Sequence, residues 1–392
     1  MLQLGPGGLP TLARRALWPS RKPLSGRTPR LALVGAFVFS LSGCTPAATP
    51  VEIRPTIPAS PPQRPSPTSA KTRTPRASAT LPPTLAASSA PENPPGFATA
   101  ELRPGVEGQT YLADACQYLQ RKWDPDGSPP GTVVLPIMYH SIRDPSRMPQ
   151  DNVTVSTDTF QATVDLARSL GFETITTAEL IVFLTENARI PQRSMILIID
   201  DRRPGVVAEY VLPVVEALDW TATLGWIIGD TGPDLWSFME DLVEGGRLDV
   251  QSHGLRHQYI VEGMPEDEMR EEIAGPIPIL EEHFGTRPSA FVWPGGNFTS
   301  RSVEVARQEG YQLGFTAFSR GPLLFNWIPL GEEERAVDDP LMVLPRAWSP
   351  SAIVNLEQAA RIGDEAARHA QENRGAEAEW YRQSCGGELA TP

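Results

Sequence analysis

The sequence has 392 residues, more than one average domain, and its 41 prolines are about twice the ordinary share of about 5%. Its three cysteines exclude a disulfide-rich scaffold and a zinc ribbon. Charge is unevenly divided, because residues 1–98 carry 11 basic and two acidic residues, whereas residues 99–392 carry 23 basic and 45 acidic residues, a net charge of −22. A domain this acidic repels nucleic acid and anionic polymers, so we expect neutral or cationic partners and no nucleic acid.

Residues 1–44 have the features of an export signal. Six basic residues between positions 14 and 30 precede the apolar run LALVGAFVFSL at 31–41. Eleven helical residues rise only about 16 Å, too little for a hydrocarbon core of about 30 Å, so the run predicts a signal peptide and not a membrane span. The run ends in Leu-Ser-Gly-Cys44, which resembles the bacterial lipoprotein signal. The resemblance implies lipid attachment at Cys44 and an exported, cell-surface lipoprotein anchored to the bacterial membrane; the alternative is a secretory signal with an incidental cysteine.

Residues 45–98 consist mainly of Pro, Ser, Thr and Ala. Such a composition cannot bury enough apolar surface to offset the entropy of ordering, so we predict a disordered linker. Partly extended as polyproline II, it could reach on the order of 100 Å.

Beyond the linker, residues 99–131 predict a helical extension, and apolar runs then alternate with amphipathic stretches up to residue 350. The predicted strands are Thr132–Met138, Glu173–Ile175, Met195–Ile199, Thr221–Ile227, Leu248–Ser252, Ala290–Val292, Leu313–Phe315 and Met342–Leu344. The predicted helices are Phe160–Leu170, Ala178–Leu184, Val206–Leu218 with a kink at Pro213, Leu235–Val243, a helix from Pro265 interrupted at Pro276 and Pro278, and Ser302–Gln308. Residues 351–392 predict a C-terminal helix, from about Ile353 to Tyr381, and a tail.

Seven or eight βα steps in roughly 220 residues predict an α/β fold, either a barrel or a doubly wound open sheet. The positions of the reactive side chains favour the barrel, because barrels build their sites at the C-terminal ends of the strands. These side chains all lie at or just past the ends of different strands: His140, Asp200, Asp201, His253 and Trp293-Pro294.

Two acids after one strand and two imidazoles after another, at i and i+4, can converge on one divalent metal ion. Each pair taken alone is a weaker sign of a metal site. Asp200 and Asp201 could instead cap the following helix, and two histidines spaced four residues apart, such as His253 and His257, often bind no metal.

At these residues the chain resembles the polysaccharide deacetylase family (NodB homology, carbohydrate esterase 4), from about residue 133 to residue 348. The segments that carry the resemblance are VVLPIMYHSI at 133–142, MILIIDD at 195–201, TATLGWIIG at 221–229, DVQSHGLRH at 249–257, FVWPGG at 291–296 and VLPR at 343–346. Their order and spacing resemble especially the branch that acts on poly-N-acetylglucosamine.

The resemblance implies a distorted (β/α) barrel of the NodB type as the catalytic domain, residues 132–350. It implies Asp200 as general base, His140 as general acid, and Asp201, His253 and His257 as ligands of Zn²⁺, with Co²⁺ or Ni²⁺ as alternatives. It also implies a substrate-binding surface made by Trp293, Pro294, Gly295 and Arg346. Trp293 could equally be a core residue, and Arg346 could instead pair with Asp200 and keep it ionised.

The sequence departs from the family pattern at three places. Arg202 stands where the family has a glycine, and if that turn needs a left-handed residue the cost is roughly 1 to 2 kcal/mol. Gly254 replaces a Ser or Thr whose hydroxyl would support the ligand loop. Gly295-Gly296 follow Trp293-Pro294 where the family has Tyr-Gly after the proline, which would reshape the sugar cleft.

The resemblance implies a hydrolase of carbon–nitrogen, non-peptide bonds that removes N-acetyl groups from an extracellular or cell-wall polysaccharide. The alternatives are a catalytically degenerate relative that binds glycan, for which Arg202 is the best argument, and a metal-dependent O-acetyl esterase. In an exported protein, the two cysteines outside the lipoprotein signal, Cys116 and Cys385, predict a disulfide between the flanking segments; the alternative is two free thiols.

Overall fold

The computed structural model describes residues 92–390. The predicted signal, Cys44 and most of the predicted linker lie outside the described residues. Within 92–390, no helix combines the length and apolar character that a membrane crossing requires.

The described part of the chain alternates strands and helices. Its strands are β1 (Glu107–Gln109), β2 (Val133–Tyr139), β3 (Ser141–Arg143), β4 (Thr154–Ser156), β5 (Glu173–Thr174), β6 (Arg193–Asp200), β7 (Ala222–Trp226), β8 (Leu248–Ser252), β9 (Ala290–Val292), β10 (Leu313–Phe315), β11 (Leu323–Leu324), β12 (Ile328–Leu330) and β13 (Ala347–Trp348). Its helices are α1 (Ala115–Lys122), α2 (Thr157–Ser169), α3 (Thr177–Glu186), α4 (Pro204–Val206), α5 (Leu212–Leu218), α6 (Pro233–Val243), α7 (Glu266–Ala274), α8 (Pro276–Phe284), α9 (Ser300–Gln308), α10 (Glu332–Arg335) and α11 (Ala352–Ser384).

The central sheet is built mainly from parallel strands, in the order β10-β9-β8-β7-β6-β2. The short strand β5 adds beside β6, and β11 and β13 both pair with β2. Strands β2 and β6 are aligned over seven residue pairs, from Val133 with Arg193 to Tyr139 with Ile199. Every residue of β2, and all but the first of β6, is buried, as expected for strands covered on both faces.

The sheet curls until its two sides are joined through the segment 344–348. At one side, Leu344 pairs in parallel with Phe315 of β10. At the other side, Ala347 and Trp348 pair in parallel with Ile137 and Met138 of β2. This joining makes the sheet barrel-like, so the predicted distorted (β/α) barrel is confirmed and the open doubly wound sheet is not observed.

Side chains alternate between the two faces of β6, and this places the site. Met195, Leu197 and Ile199 belong to a cluster with residues of the covering helices. Ile196 and Ile198 belong to another cluster, with strand residues from across the barrel such as Phe315. Because successive strand residues point to opposite faces, Asp200 lies on the face of Ile196 and Ile198, at the carboxyl end of the barrel.

Two helix predictions need correction. The predicted helix Val206–Leu218 is divided into α4, a π-helical turn Val207–Val211 and α5, because Pro213 cannot donate to the regular ladder and the wider turn absorbs the defect. The predicted interruption occurs at Pro276 but not at Pro278. Pro278 lies in the first turn of α8, where backbone N–H groups have no partner within the helix.

The predicted strand Met342–Leu344 is wrong in its extent. Residues Pro340–Met342 form a 3₁₀ turn, and only Leu344 makes an isolated bridge before β13. Side chains take the carbonyls that a ladder would use: Trp293 Nε1 donates to the carbonyl of Met342 and Arg320 donates to that of Val343.

The segments that flank the barrel are joined to each other. Cys116 of α1 and Cys385, just after α11, form a disulfide with a Cα–Cα distance of 5.7 Å, as the sequence predicts. Beside it, the buried Glu377 of α11 accepts hydrogen bonds from Lys122 Nζ and Trp123 Nε1, both at 2.7 Å.

Candidate metal centre

Asp200 ends the central strand β6, Asp201 follows it, and the two side chains lie in different environments. Asp200 is the last strand residue and is buried. Asp201 follows with a left-handed backbone, φ +68°, a conformation that Asp tolerates better than most residues. Its side chain is about a fifth exposed, at 21%. The reversal at Asp201 therefore separates the two carboxylates.

The two imidazoles come from the loop that follows β8. His253 is buried, and its Nδ1 lies 2.8 Å from the carbonyl oxygen of Val292. A carbonyl only accepts, so Nδ1 carries the proton and Nε2 presents its lone pair. Nε2 of His253 is buried and has no hydrogen-bond partner among the described residues.

Asp201, His253 and His257 bring one oxygen and two nitrogens to one point. Nε2 of His253 lies 3.9 Å from Asp201 Oδ1, and Nε2 of His257 lies 4.0 Å from the same oxygen. The three ligand atoms are all within 4.8 Å of one another. These distances are too long for hydrogen bonds and about half an ångström longer than the separations of ligand atoms around a tetrahedral zinc ion, so small side-chain shifts would bring the three atoms to one ion.

The chemistry of this donor set fits a catalytic transition-metal ion. Two imidazoles and one carboxylate are a ligand set of catalytic zinc, which keeps one position open. Burial holds the pKa of His253 well below its ordinary value, although Asp200 opposes this, so the imidazole is neutral and able to ligate. The orphaned Nε2 of His253 is the observation that shows the fit most directly.

Asp200 is fixed by a buried ion pair with Arg346. Arg346 Nη1 lies 2.7 Å from Asp200 Oδ1, and both side chains are almost fully buried. Burial opposes ionisation of Asp200, but the Arg346 guanidinium, with His253 and His140, outweighs it and holds the pKa of this carboxyl below its usual range. The family resemblance implied that Arg346 belongs to a substrate-binding surface, and this is wrong because the side chain is buried. The alternative prediction, that Arg346 pairs with Asp200, is confirmed.

His140 lies on the opposite side of Asp200 from the ligand loop. It follows β2, and its Nε2 is 3.8 Å from Asp200 Oδ2, the same distance as His253 Nε2 from that oxygen. Its side chain is 19% exposed. The structure thus brings His140 to the site with a path to solvent.

The implied sugar-binding residues differ in exposure. Trp293 is fully buried and donates from Nε1 to the carbonyl of Met342 at 2.7 Å, so it is a core residue and not a stacking platform. Pro294 is also buried, whereas Gly295 is exposed.

The exposed aromatic ring near the ligands is that of Tyr259, which the sequence reasoning did not single out. It is 58% exposed, and its ring centroid is 5.6 Å from that of His257. A Cβ on Gly295, which has a φ of +63°, would lie 2.9 Å from Tyr259 Cε1. The glycine therefore gives the Tyr259 ring its space, and the position of Tyr259 two residues after His257 was the available signal.

The expected strain at Arg202 is absent. The left-handed residue of this turn is Asp201, and Arg202 is not among the positive-φ residues of the described chain. The Arg202 guanidinium donates to the carbonyl of Gly229, and Arg203 Nη2 lies 3.0 Å from Asp201 Oδ2. Arg203 therefore occupies the oxygen of Asp201 that faces away from the histidines, another contact that sequence reasoning missed.

One segment of the chain matches a known family model. Residues 187–314 match the family model described as polysaccharide deacetylase. The matched segment is about a third of the chain and is similar to polysaccharide deacetylase domains of the NodB-homology type. The match includes both aspartates and both loop histidines, but it begins after His140 and ends before Arg346.

The chain is also similar to individual deacetylases. YxkH of Bacillus subtilis strain 168, named as a polysaccharide deacetylase, is 24% identical over 188 residues, which are 46% of this chain and 64% of YxkH. The chain thus spans less than two thirds of that relative. The Streptococcus pyogenes deacetylase PplD, solved in complex with acetate, has a TM-score of 0.48 and 19% identity over 58% of this chain and 98% of PplD. IcaB from Ammonifex degensii has a TM-score of 0.46 and 19% identity, over 59% of this chain and 97% of IcaB.

Proposed function

We propose that this chain is a metal-dependent hydrolase that removes N-acetyl groups from an extracellular or cell-wall polysaccharide. The observation that carries the proposal is the convergence of Asp201, His253 and His257 beside an Asp200 that Arg346 keeps ionised. A ligand set with an open position next to an anionic base is the arrangement that hydrolysis by activated water requires.

Asp201 Oδ1, His253 Nε2 and His257 Nε2 would hold a divalent transition ion, with Zn²⁺ as first choice, and the bound ion would polarise the acetyl carbonyl and lower the pKa of water. Asp200 acts as general base. Its Oδ1 is occupied by Arg346 at 2.7 Å, which leaves Oδ2 directed at the cluster and free to take the proton of the attacking water. Arg346 supports this role because it keeps Asp200 anionic despite burial.

His140 acts as general acid. Water adds to the acetyl carbon, the bond from that carbon to the sugar nitrogen breaks, and the departing amine must receive a proton, giving acetate and a free amino sugar. His140 has the position for this transfer, since its Nε2 faces Asp200 Oδ2 from the side opposite the ligand loop and its ring is partly exposed.

The substrate that suits this site is a neutral polymer of N-acetylglucosamine. Residues 99–392 carry a net charge of −22, which disfavours anionic polymers and favours a product that gains ammonium groups. The exposed ring of Tyr259 beside His257 offers a surface on which a sugar ring can stack. The resemblance of the motifs to the poly-N-acetylglucosamine branch supports the same choice.

The enzyme would act outside the cell. The apolar run ending at Cys44 supports lipid attachment there and anchoring to the bacterial membrane, and the Pro-rich linker would hold the catalytic domain away from it.

Acetate release tests the proposal against its alternatives. The purified chain, supplied with Zn²⁺, is given N-acetylglucosamine oligomers and, separately, an O-acetylated xylan of matched acetyl content. Release from the oligomers supports the deacetylase. Release only from the ester identifies an O-acetyl esterase, and binding of oligomers without release identifies a degenerate glycan-binding relative.

A further inference from the structure

We infer that Glu272 is a positioning residue for the metal ligands: its buried carboxylate holds the loop 253–258 in the shape that brings His253 and His257 together. The inference rests on the proposed function only in that it takes these histidines as metal ligands. It identifies a side chain that supports the ligand loop in a chain whose position 254 is a glycine.

The loop that carries the two imidazoles has an unusual backbone. Two of its residues adopt left-handed conformations, Gly254 with φ +83° and His257 with φ +62°. Histidine adopts this conformation uncommonly, so surrounding contacts must hold it there. The reversals also turn several backbone N–H groups of the loop toward one side.

One residue of α7 accepts hydrogen bonds from three of these N–H groups. The carboxylate of Glu272 accepts from the N–H of Arg256, at 3.0 Å to Oε2, and from the N–H of Gln258, at 3.0 Å to Oε1. Its main-chain carbonyl accepts from the N–H of Leu255 at 3.2 Å. These contacts bracket His257 on both sides.

Glu272 lies in an environment in which the loop N–H groups are its main polar partners. Its side chain is fully buried, and no Lys or Arg among the described residues forms an ion pair with it. Burial raises the pKa of the Glu272 carboxyl, and the N–H groups of the loop partly offset this. Consecutive N–H groups that converge on one carboxylate form an anion-binding concavity.

Gly254 and Glu272 fit each other. A Cβ at Gly254 would lie 2.2 Å from Glu272 Oε1 and 3.1 Å from its Cδ. A Ser or Thr at position 254 is therefore incompatible with Glu272 in this place. In this chain the Glu272 carboxylate occupies the space that a side chain at position 254 would need.

The test measures metal affinity separately from folding. Zn²⁺ is titrated calorimetrically into the metal-free full chain carrying Glu272→Ala or Glu272→Gln, and hydrogen exchange is followed at the amides of Arg256 and Gln258, the two that donate to the carboxylate. The matched control is Glu271→Ala, which removes the neighbouring, half-exposed carboxylate that contacts only the Arg256 side chain, at 2.7 Å.

We expect Glu272→Ala to weaken Zn²⁺ binding about 10- to 100-fold, the usual effect of losing a residue that orients metal ligands, and to speed exchange at the amides of Arg256 and Gln258, which lose their acceptor. Glu272→Gln keeps the shape and one acceptor oxygen, so we expect a smaller loss; it also serves if the alanine variant does not fold. Glu271→Ala should leave both measurements near the wild-type values. A merely structural role would lower the melting temperature and leave the affinity of the folded protein unchanged.

Wild-type affinity in both folded Glu272 variants overturns the inference, as does unchanged exchange at the amides of Arg256 and Gln258 in the alanine variant. If the wild-type chain itself binds no Zn²⁺, the proposed function fails, while the exchange data still decide whether Glu272 holds the loop.

Discussion

Asp200 and Asp201 are adjacent in sequence, yet their surroundings prepare them for different chemistry. Asp200 is buried and held by Arg346, so it is an anion with one fixed oxygen. Asp201 is turned by its left-handed backbone, and its Oδ1 faces the nitrogens of His253 and His257. This difference predicts that the same amide substitution has different results at the two positions.

Asp200→Asn should retain the metal and lose turnover by about 10²- to 10⁴-fold, the usual contribution of a general base. Asp201→Asn should lose the metal, because the substitution removes the anionic ligand. Metal content and acetate release, measured on both variants, check this. Metal lost from the first variant and retained in the second would reverse the roles assigned here.

Arg202→Gly should not activate the enzyme. Arg202 has no left-handed backbone for glycine to relieve, so acetate release should remain within about a factor of two, while the added chain entropy and the lost contact with Gly229 lower stability by about 1 kcal/mol. Arg202→Ala, which removes the guanidinium without freeing the backbone as much, is the control. A rise from undetectable to robust activity in the glycine variant would show that the natural chain is degenerate.

The sequence predicts one part of the site well and another poorly. The sequence was sufficient to predict five site residues, because each lies at or after the end of a recognisable strand and barrels gather such residues at one end: His140, Asp200, Asp201, His253 and His257. The contacts around these residues could not be predicted. Arg346 and Trp293 are each compatible with core or surface from sequence alone, and the contact of Glu272 with Gly254 joins segments whose proximity depends on the packing of α7.

At the scale of elements, the sequence again predicts some features well and others poorly. Strands β8, β9 and β10 have the bounds that their apolar runs predict, because polar residues flank β8 and β10, and Ser289 and the Trp293-Pro294 pair flank β9. The two- and three-residue strands β3, β4, β11 and β12 were missed because they are defined by their partners and carry no periodicity of their own. The strand that closes the barrel was predicted a few residues before its observed position, because the buried side chains of Trp293 and Arg320 bind the carbonyls of Met342 and Val343.

The disulfide joins elements that lie outside the barrel strands, so it should support stability without tuning the site. Cys385→Ser opens a link across 269 residues and should lower the free energy of unfolding by about 2 to 5 kcal/mol, while Zn²⁺ affinity stays unchanged. Denaturant unfolding and calorimetric titration measure the two effects. Mass spectrometry of non-reduced peptides provides the check on the bond itself: if both cysteines of the folded protein react with an alkylating agent without reductant, the link does not form.

At the scale of the whole molecule, the sequence combines a basic N-terminal segment, a Pro-rich stretch and an acidic part that contains the candidate metal centre. In the proposed function, the first segment is an export signal with a lipid anchor, and the Pro-rich stretch lets the acidic part reach a neutral polymer away from the membrane.

Anchoring depends on a single cysteine in this proposal. Cys44→Ser should move the protein from the membrane fraction to the soluble fraction of a bacterial host, because acylation of that sulfur provides the anchor. Cys116→Ser is the matched control, since it removes a cysteine and the disulfide but leaves the lipoprotein signal intact, and it should stay in the membrane fraction. Membrane retention of the Cys44 variant would indicate an uncleaved signal segment or another anchor.

The metal centre is the central claim, and the metal content of the purified chain tests it most directly. After incubation with Zn²⁺ and removal of the excess, we predict about one equivalent per chain for the wild type and essentially none for Asp201→Ala, because three protein ligands converge on one ion. A folded wild-type chain that retains no transition metal, or an Asp201→Ala variant that retains a full equivalent, would contradict the account.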